Sequence, residues 1–403
     1  MHCARKIIDK LYWIGGSDRR LALFENAFPI PRGISYNAYL LKAEKTVLFD
    51  TVDQSVAGVF FEGLAHVLDG SPLDYVVVHH MEPDHAATLG ELCMRHPETQ
   101  IVCNAKSAQM IRQFFAADLE SRFQLVAEGD VLSLGGHQLS FVMAPMVHWP
   151  EVMVSYEHTT GTLFSADAFG TFGALSGNLF ADEVDFRHEW LPDARRYYSN
   201  IVGKYGVQVQ ALLKKAAGLD IRLLCPLHGP IWRKDIAWFV EKYQRWSSYT
   251  PEEQAAVIIY GSIYGHTENA AQLLAGKLAE CGVRNIAMYD AANTHSSNLI
   301  AEAFRASHIA LLSVTYNAGI FTPVENLLSA MAAHNVQSRT VALAQNGSWA
   351  LSAEKGMRAW FEKMKNIQIL EPVLTVHSAL NPEQETEVEA MAAAIYASMQ
   401  AAT

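Results

Sequence analysis

The chain reads as a two-part α/β protein: a mixed α/β sandwich over residues 1–250, then a doubly wound parallel sheet over residues 255–403. Three observations predict this. The 403 residues exceed the roughly 250–300 at which a single core stops growing. From about Ala255 onward apolar strands and helices alternate regularly, whereas the earlier part is richer in short strands. Between the two rhythms lies a polar segment, Trp246 to Gln254, that contains Pro251.

In the first part, TVLFDT, DYVVVH, QIVCNA, QLSFVM, GTLFSA and IRLLCP are short apolar runs expected to be strands. Helices are expected at Ser107–Phe115 and Tyr197–Ala217. In the second part, AAVIIYGS reads as a buried strand, followed by a helix over Glu268–Glu280 that Gly282 ends. The strand NIAMYD, a helix near Leu299–Ala306 and the strand IALLSV come next. A helix near Pro323–Ala333, the strand TVALAQ, a helix near Ala353–Met364, the strand QILEPVLTV and a terminal helix from about Pro382 complete five β-α units. Ligands of such sheets bind beyond the carboxyl ends of the strands.

Half of the residues are hydrophobic and the formal net charge is −11, so the chain is a packed globular protein whose acidic surface argues against nucleic acid and anionic membranes as partners. The five cysteines, Cys3, Cys93, Cys103, Cys225 and Cys281, show no C-x-x-C spacing and are expected to be small buried hydrophobes rather than disulfides or thiolate ligands. The first residues lack the apolar core and cleavage site of a signal peptide, and no run of about 18 apolar residues exists, so a cytoplasmic location is expected.

The strongest chemical signal is HMEPDH, residues 80–85, directly after the strand DYVVV. His148 follows QLSFVM, Asp167 follows GTLFS and His228 follows IRLLC, so every candidate donor sits just past a strand end. Strand ends along one sheet edge converge in space. Seven donors (His80, Glu82, Asp84, His85, His148, Asp167 and His228) are therefore expected at one site, where they would hold metal and carry the chemistry. Seven exceed what one tetrahedral zinc uses, which implies two ions with a bridging carboxylate. Three carboxylates and four imidazoles without thiolate suit non-haem iron or manganese, with zinc possible.

This arrangement resembles the metallo-β-lactamase-like domain of flavodiiron proteins, or A-type flavoproteins. Hydrolytic relatives usually carry H-x-H-x-D-H, and Glu82 stands where their second histidine would be. The intervals also match: 62 residues between His85 and His148, 18 between His148 and Asp167, and 60 between Asp167 and His228. The resemblance implies an αββα sandwich in which His80, Glu82 and His148 hold one iron, Asp84, His85 and His228 the other, and Asp167 bridges them; family members differ in whether the histidine matching His85 coordinates. His79 is out of register and is expected to be a strand-end packing residue. Where many members carry a histidine near the pocket, this chain reads LFENAFPIPRG, with Glu25 and Asn26.

The second part carries GSIYGHTENAA after the strand AVIIY. Ser262, Thr267 and Asn269 bring hydroxyl and amide groups, Gly265 permits a tight turn, and a helix starting near Thr267 points free N–H groups into the loop. Such an uncharged nest suits a monophosphate such as that of FMN. The string is similar to the flavodoxin phosphate loop, which adds Ile263, Tyr264 and His266 to the expected contacts. Two further strand-end loops, with Thr315, Tyr316 and Asn317 in one and Asn346, Gly347, Ser348 and Trp349 in the other, would wrap the isoalloxazine ring in a flavodoxin-like domain, Trp349 by stacking.

The two resemblances cover nearly the whole chain and imply an oxygen and/or nitric oxide reductase, with electrons passing from FMN to a diiron centre. They also imply a head-to-tail homodimer or tetramer that brings the flavin of one subunit to the irons of the other, with Trp149 and Arg32–Asn37 as candidates near that junction. The chain ends soon after its last helix, so a separate electron donor is expected, a rubredoxin first and a reduced deazaflavin in some lineages. Two rival readings are a zinc hydrolase with an accessory flavodoxin module and a non-enzymatic electron carrier or redox sensor with structural metal.

Overall fold

The computed structural model describes residues 2–116 and 118–401, so the last two residues of the expected second domain lie outside the described residues. The chain divides into two compact units: Met1–Tyr198 with Val207–Gln244, and Ser199–Gly206 with Arg245–Thr403.

The first unit holds two sheets. In the larger, strands Arg5–Ile8 (β1), Leu11–Trp13 (β2), Tyr39–Lys42 (β3), Thr46–Phe49 (β4), Tyr75–Val77 (β5), Gln100–Cys103 (β6) and Phe123–Leu125 (β7) lie side by side in chain order. β1 to β4 pair antiparallel and β4 to β7 parallel. The second sheet runs Val131–Ser133 (β8), Gln138–Met143 (β9), Met153–Glu157 (β10), Thr162–Phe164 (β11) and Leu223–Cys225 (β12), antiparallel except for the last pair. β10, β11 and β12 are buried at every position, which is why β11 and β12 read as apolar runs rather than alternating ones. The helix Ala105–Phe114 starts where Asn104 accepts hydrogen bonds from the Lys106 and Ser107 amides.

The second unit is a parallel sheet in the order Ile286–Asp290 (β14), Glu253–Gly261 (β13), Ala306–Tyr316 (β15), Arg339–Asn346 (β16) and Ile367–Val376 (β17). β13 therefore has its crossover partners on both sides, and the strand order reverses next to it. Helices His266–Glu280 (α1) and Glu385–Ala401 (α2) cover one face, packing Ala271, Leu274, Leu278, Val388 and Met391 against Ala256, Ile258 and Leu312. Each expected strand and helix of this part is present within a few residues of its expected bounds.

Two expectations fail. The single helix over Tyr197–Ala217 is broken: a helix ends at Tyr197, a wider-turned segment spans Tyr198–Val202, and a new helix runs Gly206–Ala216. The break falls where the chain passes to the second unit, in which Asn200 Nδ2 donates to the Ser297 carbonyl (3.0 Å). Of the cysteines, Cys93, Cys103 and Cys225 are buried, but Cys3 is exposed and Cys281 partly so. Among the described residues no helix is long and apolar enough to cross a membrane.

Candidate metal centre and flavin cradle

The loops after β5, β9, β11 and β12 bring all seven expected donors together. They form two groups, His80, Glu82, His148 and Asp167, and Asp84, His85 and His228, with the ligand atoms of each group within 4.8 Å of one another. Asp167 divides between them. Its Oδ2 lies 3.2 Å from His148 Nε2 and 3.4 Å from His80 Nε2. Its Oδ1 lies 3.0 Å from His85 Nε2 and 3.5 Å from His228 Nε2. Glu82 Oε2 faces His148 (3.0 Å) and His80 (3.3 Å), and Asp84 Oδ2 faces His228 (3.2 Å) and His85 (3.4 Å).

The donor set fits paired cations. His85 and His228 point their Nε2 atoms at each other across 3.1 Å. His228 Nδ1 must donate to the Ser35 carbonyl (2.7 Å), which leaves Nε2 as the ring atom turned to the cluster. Both oxygens of Asp84, Oδ1 of Asp167 and Nδ1 of His85 are buried without a hydrogen bond among the described residues. Burial would push the histidines down and the carboxyls up, but the facing charges win. Asp84 and Asp167 raise His85 to about 9, Asp167 and Glu82 raise His148 to about 9, and Glu82 and Asp167 are held below the ordinary carboxylate range by the histidines. Two divalent cations would satisfy that charge without protons.

Residues the sequence reading assigned elsewhere, or left unassigned, support the loops. His79 is not a mere packing residue. It stacks on Phe49 (centroids 6.1 Å apart), but its ring also bridges Asp50 and Ser155. Glu151 receives His80 Nδ1 (2.7 Å) and the Met81 amide (2.9 Å). Of Arg32–Asn37, expected near a subunit junction, Gly33 to Asn37 are buried; Asn37 Nδ2 donates to the Pro226 and Gly229 carbonyls, which holds the His228 loop. Trp149 is half-buried, 5.2 Å from the His80 ring. Phe24, Tyr36 and Tyr197 ring His228 at 5.4–5.8 Å and dry that side of the site. Tyr197 Oη is sealed and makes no hydrogen bond among the described residues; burial and the charges of Asp167, Asp84 and Glu82 keep it protonated. Glu25 sits at a hairpin tip at φ 50°, exposed as a residue but with its carboxyl toward Glu82; partial desolvation of that carboxyl, then the charge of Glu82, raises it above the ordinary carboxylate range. A glutamate three residues past His148 and a tyrosine inside an expected helix carry no motif, so no local signal marks them.

The second unit contains a cavity of about 540 Å³ at the ends of β13, β15 and β16. Ser262, Ile263, Tyr264, His266, Thr267, Thr315, Tyr316, Asn317, Asn346, Gly347, Ser348 and Trp349 line it, as expected. Gly265 and Asn269 do not. Gly265 instead starts α1 at φ 91°, a conformation that favours glycine, and its amide donates to Ser262 Oγ (3.1 Å). Asn269 is one turn into the helix, facing solvent. Val314, Ala318, Ala350 and Ser378 also line the cavity. Ser378, which follows β17 and bonds Ser348 Oγ (2.7 Å), was findable by the same strand-end rule. The open N-terminus of α1 and the hydroxyls of Ser262 and Thr267 in the cavity lining fit a phosphate-bearing ligand. Ile263, Tyr264, Tyr316 and Trp349 leave large apolar surfaces exposed, 81 % for Trp349, as a ring-binding rim would.

Known proteins give the same division. The family model described as ODP family beta lactamase matches residues 34–229, and the flavodoxin model matches residues 258–390. An anaerobic nitric oxide reductase flavorubredoxin of Escherichia coli O1:K1 is 30 % identical over 347 residues, 85 % of this chain and 72 % of its own length. An uncharacterized protein of Methanocaldococcus jannaschii is 31 % identical over 81 % of each chain. Among solved structures, the rubredoxin oxygen:oxidoreductase of Desulfovibrio gigas superposes with a TM-score of 0.91 at 29 % identity, covering 99 % of both chains. The flavodiiron protein of Giardia intestinalis matches the fold with a TM-score of 0.92 at 22 % identity, covering 100 % of this chain and 98 % of its own.

Proposed function

From the premise that this chain belongs to the flavodiiron proteins, oxidoreductases built on FMN and a diiron centre, we propose that it reduces dioxygen to water, nitric oxide to nitrous oxide, or both. The observation that carries this reading is Asp167, whose two oxygens face two separate three-residue donor groups. In it, His80, Glu82 and His148 hold one iron, Asp84, His85 and His228 the other, and Asp167 bridges. When bound, FMN would supply one-electron transfer and an iron pair would supply the reduction of a small molecule.

The residues of the chain supply the setting. The Phe24, Tyr36 and Tyr197 rings exclude water from the His228 side. Tyr197 Oη has a proton and no partner among the described residues, so it can donate to a bound oxygen or nitrogen atom. Ser262, Thr267 and the start of α1 would hold the FMN phosphate, and Tyr316 and Trp349, in the same cavity lining, would contact its ring.

Metal domain 1–250 and flavin domain 255–403 would act between two subunits arranged head to tail. The names of the D. gigas and E. coli relatives favour a rubredoxin-type donor. We place the protein in the cytoplasm.

The test is iron and FMN content per chain, then single-turnover oxidation of the reduced protein by each gas. Two irons, one FMN and rapid reoxidation are expected. Two zincs with hydrolysis of a thioester or lactam would overturn the reading.

A further inference from the structure

The two donor groups have the same make-up. Each has two imidazoles and one carboxylate, and they share Asp167. What differs is the support behind them. His80 Nδ1 lies 2.7 Å from Glu151 Oε1, a carboxylate with no solvent exposure. That oxygen also takes the Met81 amide, and Asn104 Nδ2 donates to the Glu151 carbonyl at 2.5 Å, so Glu151 is held from several sides. On the other side, His228 Nδ1 leans on a neutral carbonyl, that of Ser35, and His85 Nδ1 makes no hydrogen bond among the described residues.

We propose that Glu151 is a positioning residue that makes the two metal subsites unequal, so that the ion beside His80, Glu82 and His148 is held more tightly than the ion beside Asp84, His85 and His228. The inference rests on the diiron reading above. A full negative charge at Nδ1 draws the ring proton toward itself and raises electron density at Nε2, and it fixes both tautomer and ring orientation. A backbone carbonyl fixes the tautomer but supplies only a dipole. Outer partners of this kind change metal affinity by about 10- to 100-fold.

The experiment uses the full-length protein with iron and FMN bound. The reduced protein is challenged with a ferrous chelator and iron release is followed in time. Wild type is expected to release its two ions in two phases of equal amplitude. Glu151→Gln is expected to speed the slow phase by about 10- to 100-fold, leaving the fast phase and the FMN content unchanged. Glu157→Gln is the control: Glu157 is a buried carboxylate beside His137 (3.1 Å) outside the donor groups, and its loss is expected to leave both phases alone. If Glu151→Gln does not fold, Glu151→Asp, which keeps the charge but retracts it from His80, is expected to speed the slow phase alone. A single phase from fully loaded wild type, an unchanged slow phase in the Glu151 variants, or an equal effect of Glu157→Gln overturns the inference while the parent reading stands. Protein that takes up no paired iron overturns both.

Discussion

His79 Nδ1 and Asp50 Oδ2 lie 2.5 Å apart in a part of the first unit sealed from solvent. Asp50 Oδ1 also accepts the His79 amide (2.8 Å), and His79 Nε2 lies 2.7 Å from Ser155 Oγ. The ends of β4 and β5 are thereby tied to β10, immediately before the HMEPDH loop begins. Removing one partner strands a buried polar group. Asp50→Ala is expected to cost about 1–3 kcal/mol in chemical unfolding of the first unit and to lower its iron content. Asp50→Asn, which can still accept the amide, is expected to cost less. Equal unfolding midpoints for wild type and Asp50→Ala would count against the brace.

Tyr197 separates stability from turnover. Its hydroxyl is buried and has no partner among the described residues, so Tyr197→Phe removes no hydrogen bond among them and is expected to leave stability within about 1 kcal/mol, or raise it slightly. Turnover with the preferred gas is expected to fall roughly 100-fold, the scale of one well-placed donor. Unchanged turnover would remove Tyr197 from the chemistry.

Trp349, largely exposed at the cavity rim, has little to pack against within its own unit. If it stacks on the flavin ring, Trp349→Ala is expected to weaken FMN binding about 3- to 10-fold while leaving the melting temperature of the flavin-free protein unchanged. Fluorescence titration of that protein with FMN measures both arms.

His308, in β15, gives a pH dependence outside the metal site. Burial lowers it from about 6.5 to about 4, and among the described residues its ring nitrogens meet the Ser307 and Ser398 hydroxyls. A histidine with a depressed folded pKa is neutral in the fold, whereas the unfolded chain takes up a proton below about 6.5. Stability is therefore full above that value and is lost as pH falls toward 4, by on the order of 3 kcal/mol. His308→Gln is expected to flatten that slope between pH 7 and pH 4.5 in urea unfolding of the second unit.

Much of this was legible in the chain itself. Burial periodicity marked the β-α units of the second part, because each helix covers the strand before it with residues close in sequence. The donors were legible because H-x-E-x-D-H and the later strand ends obey one local rule. The flavin loops follow the same rule, which also reaches Ser378 past the end of the fifth strand. What local pattern left open was decided by the tertiary structure: how the donors divide over the two oxygens of Asp167, that His85 faces the cluster, that His79 braces rather than packs, and that Glu151, Asn37 and Tyr197 belong to the site. Those relations join residues as much as 192 positions apart, as with Asn37 and Gly229, through bonds only about 3 Å long. An acid, an amide or a phenol carries no periodicity of its own, so its partner is set by where the strands place it once the sheets have formed.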